Sequence, residues 1–183
     1  MKNTNEKGFT LIELLAVIVI LAILMITAIP AVTNSIAKSR KDTFATNAKN
    51  VINAVRTSMA SGDVKNGSEE CSYPADGSAV KITITSDALK GLLERGGDKS
   101  SFGRAYNDSY VIIYNKGGDK FDYYIAITDK GGNGVATFTK ESALTGSNIK
   151  LGNAGNITGT FKPDGSENAL ATSNISTCTV SQT

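Results

Sequence analysis

The chain has 183 residues, 19 of them basic and 17 acidic, giving a formal net charge of +2. This near-neutral balance argues against a nucleic-acid-binding domain, which shows a concentrated basic face. Histidine is absent and the cysteines are Cys71 and Cys178 alone, so imidazole acid–base chemistry, His-containing zinc sites and all-cysteine zinc sites are excluded. No nucleophile stands beside a recognisable base, so the chain reads as a non-enzyme without cofactor or metal.

A short polar stretch, Met1 to Gly8, opens the chain and carries Lys2 and Lys7 against Glu6. From Leu14 to Ala37 no charged residue occurs, a run longer than the roughly 20 apolar residues a helix needs to cross a bilayer core. Glu13 stands at its entrance. An ionised carboxylate there costs on the order of 2.5–3.5 kcal/mol on insertion scales and should have a partner. A cut between Gly8 and Phe9 would supply one, because Phe9 would acquire a free α-amino group.

The run Lys7-Gly8-Phe9-Thr10-Leu11-Ile12-Glu13-Leu14 resembles the processing site of type IV prepilins, over about the first 30 residues. The resemblance implies that the leader 1–8 is removed after Gly8, that Phe9 becomes the N-methylated N-terminus, and that Glu13 pairs with a neighbouring subunit's N-terminus. Two competing readings are a secretory signal and a plain anchor with a snorkelling glutamate. The apolar run is long for a signal's hydrophobic region and no Ala-x-Ala site closes it. A lipoprotein is excluded because the first cysteine is Cys71.

Beyond the apolar run the pattern turns amphipathic without a break. Phe44, Ala48, Val51, Ile52, Val55 and Met59 recur at three- and four-residue spacing, while Lys38, Arg40, Lys41, Asp42, Lys49 and Arg56 take other faces. One helix is predicted from near Phe9 to near Ala60, about 78 Å long, with Gly62 as its left-handed stop. Pro30 removes one backbone bond, so a kink or local break is expected there. The resemblance makes this the place where a pilin helix bends or melts during packing. Lys38, Arg40 and Lys41 would be cytoplasmic by the positive-inside rule, the opposite of the pilin orientation. The leader's own lysines leave charge bias undecided, and the processing motif takes precedence.

Short strands and Gly-rich turns follow. Val80–Thr85 alternates as a strand. Ser86-Asp87 opens a short helix with Leu89, Leu92 and Leu93 on one stripe, closed by Gly96-Gly97. Tyr110–Tyr114, Phe121–Thr128 and Val135–Phe138 read as an antiparallel meander joined by the turns 115–120 and 129–134. One or two further strands are expected, at Asn156–Phe161 and Ser176–Val180. Asp119, Asp122 and Asp129 invite a calcium reading, but they lack EF-hand spacing, and turn chemistry explains them better. Asn66, Asn107, Asn156 and Asn174 begin Asn-x-Ser/Thr triplets, read as chance in so Asn-, Ser- and Thr-rich a chain. Cys71 and Cys178 would close a loop of about 107 residues as a disulfide, worth roughly 4.7 kcal/mol in the chain-entropy model; two buried free thiols are the alternative.

The expected fold class is α+β: a long N-terminal helix packed on an antiparallel sheet, the pilin architecture. The domains are a leader 1–8, a helix 9–61 whose apolar part is 9–37, and an exported domain 62–183. The resemblance implies a structural subunit of a type IV pilus-like filament serving adhesion or motility. It would be a homo-polymer, held single-pass in the cytoplasmic membrane before assembly and extracellular afterwards. Its partners would be a prepilin peptidase that also methylates, an assembly ATPase and a membrane platform. Minor pilins, competence pilins and type II secretion pseudopilins share the motif. A single-span extracellular binding protein is the alternative of another class.

Overall fold

The computed structural model describes residues 8–93, 97–157, 160–164, 166 and 168–180. The expected leader, apart from Gly8, lies outside the described residues, as does Gly96.

No glycine interrupts residues 9–61, and they form one helix, α1, over Leu11–Ser61. It ends as expected at Gly62, whose φ of 80° is left-handed. The Asp63 amide then donates to the Ser58 carbonyl at 2.9 Å, the long closing bond of a Schellman cap. Pro30 sits inside the helix without interrupting it. Nearby threonines satisfy their hydroxyls on the helix's own carbonyls, Thr27 on Leu24 at 3.0 Å and Thr33 on Ile29 at 2.9 Å. This is how polar side chains persist in an apolar helix.

The chain divides into two compact units, the first ending at Lys38 and the second running from Ser39. In the second unit the buried residues of α1 are Phe44, Ala45, Ala48, Val51, Ile52, Val55 and Met59, the predicted stripe with Ala45 added. They share a core with Val80, Ile82, Ile84, Val111, Ile113, Ile125 and Ile127 from one face of a sheet. That helix-on-sheet layer is the solution a small domain requires.

The strands are β1 (Val64–Asn66), β2 (Glu69–Glu70), β3 (Ala79–Ile84), β4 (Ser109–Asn115), β5 (Phe121–Thr128), β6 (Gly134–Lys140) and β7 (Ile175–Val180). Their order is β2-β1-β7-β3-β4-β5-β6. The β4-β5-β6 meander is antiparallel as predicted. Between β3 and β4 lies α2 (Ser86–Leu92), capped one residue earlier than expected by the Thr85 hydroxyl, which accepts from the Ala88 amide at 3.2 Å. Leu89 and Leu93 are buried and Leu92 packs beside them.

Two features depart from the sequence reading. The last strand inserts between β1 and β3, antiparallel to the first and parallel to the second, pairing Val180 with Val64 and Cys178 with Ile82. The sheet is therefore mixed, because the long connection after β6 returns the chain to enter beside β3 in the same direction. The described residues of the expected strand Asn156–Phe161 are not extended ladder. Phe161 instead plugs the opposite face of the sheet, its ring 4.9 Å from that of Tyr124, 5.9 Å from Tyr114 and 6.1 Å from Phe138. An aromatic in coil that covers a sheet looks the same in sequence as one in a strand.

Cys71 and Cys178 form the disulfide, with Cα atoms 6.5 Å apart. It fastens the segment after β2 to the inserted β7. Asp129 and Asp122 have protein partners. Asp129 is buried, takes the amides of Gly131 and Asn133 on one oxygen at 2.8 and 2.9 Å, and takes the Ser100 hydroxyl on the other at 2.6 Å. Asp122 pairs with Lys140 at 2.9 Å and Lys116 at 3.0 Å.

Partial burial opposes the Asp122 charge, but the hydrogen bonds from Lys140 and Lys116 outweigh it and hold the carboxyl below the ordinary aspartate range. A carboxyl lowered on folding contributes stability that is full above its unfolded value of about 3.9 and fades as pH falls through the folded one. Asp122→Asn should therefore cost about 1 kcal/mol near neutrality, and the gap between melting curves of the two proteins should close below about pH 4. A gap independent of pH would show that packing, not charge, is at stake.

Gly134 has a φ of 135°, and a Cβ there would run into the Ile127 carbonyl oxygen across the β5–β6 pair. Gly67 is also left-handed but faces open space. Gly134→Ala should cost about 3 kcal/mol or more and Gly67→Ala about 1 kcal/mol, as denaturant midpoints would show. Equal losses would contradict this register.

Candidate processing and assembly segment

Gly8, Phe9 and Thr10 precede the helix and are exposed, Phe9 at 90%. A Cβ on Gly8 would meet nothing within 4 Å. Among the described residues nothing in the chain's own packing asks for glycine there.

Thr10 is the N-cap of α1. Its hydroxyl accepts from the Glu13 amide at 3.3 Å, while its own amide and hydroxyl both donate to Glu13 Oε2 at 2.8 Å. The first helical bond runs from the Leu14 amide to the Thr10 carbonyl at 3.2 Å. This is the reciprocal capping box, and it places a carboxylate where the helix dipole favours one. The sequence reading missed it. Its signal was present as Thr10-x-x-Glu13 before an apolar run. The bonds from Thr10 all end on Oε2, and a carboxylate has about four acceptor positions. Among the described residues no donor reaches Oε1.

Behind this cap the first unit exposes large apolar side chains on every side of the helix, from Leu11 at 82% through Ile18 at 57% and Ile26 at 73% to Val32 at 56%. Its most apolar stretch has a mean hydropathy of 3.0, long and apolar enough to cross a membrane. A helix apolar all round is not a one-sided docking helix; it is made to be surrounded. Lys38 and Arg40 are exposed and Lys41 half-buried, at the end of the uncharged run. Among the described residues no group of three or more His, Cys, Asp or Glu side chains converges as a metal site.

The family model described as the prokaryotic N-terminal methylation motif matches residues 3–29. This is the type IV prepilin signature, and it covers the residues around Gly8, Phe9 and Glu13. No curated protein and no solved structure matches the chain. The signature, the long apolar helix and the α+β architecture support a type IV pilin-like or pseudopilin protein. They fit a membrane-anchored precursor handled by a prepilin peptidase and pilus-assembly machinery, and a structural subunit more than an enzyme.

Proposed function

We propose that the chain is the structural subunit of a type IV pilus-like surface filament. On this reading a prepilin peptidase removes residues 1–8 after Gly8 and methylates Phe9. The remainder has two parts, the helix 9–61 with its apolar stretch 9–37 and the exported domain 62–183. The assembly ATPase and membrane platform extract it into a homo-polymer outside the cell, for adhesion or motility. The observation that carries this is the methylation motif lying across the N-cap of a helix that is apolar on all sides.

The chemistry is coherent at each residue. Among the described residues Gly8 has no packing reason to be glycine, which suits a requirement set by an enzyme that approaches the backbone closely. Removing the leader leaves the Phe9 amine next to the Thr10–Glu13 box. Apolar helices leave lipid only to bury the same surface on one another, an exchange with little net hydrophobic gain, so polar contacts set register. Glu13 then offers Oε1 to a neighbouring subunit's Phe9 amine while Oε2 keeps the helix capped. The same head-to-tail contact repeated from copy to copy does not close on itself and builds a filament. Pro30 is the place where α1 bends as the subunits pack, because it lacks the amide that would tie it to Ile26.

The capping box supplies the test that separates the two roles of Glu13. Glu13→Gln retains a residue that can close the box but removes the charge; Thr10→Ala removes the hydroxyl and keeps the charge. In cells, both variants should be processed. Glu13→Gln should lose sheared surface filaments at least tenfold, whereas Thr10→Ala, short of about 1 kcal/mol of cap, should keep most of them. Normal filaments from Glu13→Gln, or equal loss in both variants, would refute pairing through the charge.

A further inference from the structure

The face of the sheet opposite α1 holds a cavity of about 260 Å³. Ile112 of β4, Phe138 of β6 and Ile175 of β7 line it, together with Phe161 and Leu170 from the connection between β6 and β7. These five belong to the second, smaller apolar cluster, and Phe161 and Ile112 are fully buried within it. The polar part of the lining is cationic and hydroxylic. Lys81 of β3 sits in register between Ile112 and Thr177, its ammonium 4.2 Å from the centre of the Tyr110 ring. Among the described residues no carboxylate lies within ion-pair distance of it. Among the described residues no acidic side chain lines the cavity.

We propose that this cavity binds a small apolar monocarboxylate, a phenyl ring or a chain of about six to eight carbons bearing one acid group. Size sets the first limit: an apolar cavity of about 150 Å³ takes up benzene, and drug-sized ligands need about 300 Å³ or more. Chemistry sets the second. Phe138, Phe161, Ile112, Leu170 and Ile175 make the lining mainly apolar, which favours a largely apolar ligand, and among the described residues no carboxylate is there to hold a metal ion or an amine. Among the described lining residues the ammonium of Lys81, held over an aromatic face, is the charge that a ligand can complement, with Thr177 beside it in strand register as a hydroxyl donor. This site lies within the second unit, and the inference stands whether or not the chain polymerises.

The test is a fluorine NMR titration of 4-fluorobenzoate against the full chain in nonionic detergent, with 4-fluorobenzyl alcohol as the uncharged comparison. Wild type should bind 4-fluorobenzoate saturably and more tightly than the alcohol. Lys81→Gln should weaken the acid about threefold, the size of a partly exposed ion pair, and leave the alcohol unchanged. Leu170→Trp, which puts an indole into the space, should abolish saturable binding of both, with its thermal transition measured to show that it is folded. Saturable binding that survives in a folded Leu170→Trp, or none in wild type, would overturn the site. Equal affinity of wild type and Lys81→Gln for the acid would overturn the assignment to a carboxylate.

Discussion

Everything in this molecule answers to one constraint: the helix from Leu11 onward has no side that water can accept until it reaches the second unit. Each of the large apolar side chains from Phe9 to Ile36 is about half exposed or more, and burying such a side chain fully is worth roughly 1.5–3 kcal/mol. Summed over the segment, the driving force to be covered is tens of kcal/mol. Lipid can supply the cover, and so can a ring of identical helices. Because the two environments are nearly equivalent to an apolar side chain, the energy that chooses between them has to come from polar groups. The chain has one in the right place. Glu13 is already held by Thr10, with one oxygen committed to its own helix and, among the described residues, no donor on the other.

The second half of the helix answers the opposite demand. Phe44 to Met59 present one stripe, and the sheet buries it. The sheet in turn depends on its last strand. β1 pairs with the rest only through β7, and β7 is fastened by Cys178 to Cys71. β7 follows the other described strands in sequence yet sits between β1 and β3, so its pairings are long-range. A disulfide closing a long loop is well placed to keep it there. A disulfide there fits an oxidising compartment, as the proposed exported domain requires.

Much of this was legible because local pattern and tertiary role coincide. The α1 stripe, the Gly62 cap and the β4-β5-β6 meander follow from periodicity and turn residues, and β5 keeps its predicted span, Phe121–Thr128. The illegible parts are those in which distant segments decide. β1 and β2 are three and two residues long and carry no period. The parallel pairing of β3 with β7 depends on where a long coil returns, which no local signal encodes. Phe161 reads as a strand residue because an aromatic among Thr and Gly satisfies the strand composition whether it joins a ladder or covers one. Glu13 stands out in the sequence as a charge that needs a partner on a neighbouring subunit, a reading that passes over the Thr10-x-x-Glu13 box, which gives the carboxylate a local partner as well and so changes the question from whether it is satisfied to how many partners it takes.

The central claim is that this chain follows the prepilin route, and the N-terminus of the working protein tests it most directly. Intact-mass and N-terminal peptide mass spectrometry on the chain recovered from the cell-surface fraction should show a polypeptide beginning at Phe9 and carrying one methyl group on its α-nitrogen. A polypeptide beginning at Met1, or one cut near Pro30, would contradict the account, and Glu13 would then be no more than the capping glutamate of an anchor or a signal helix.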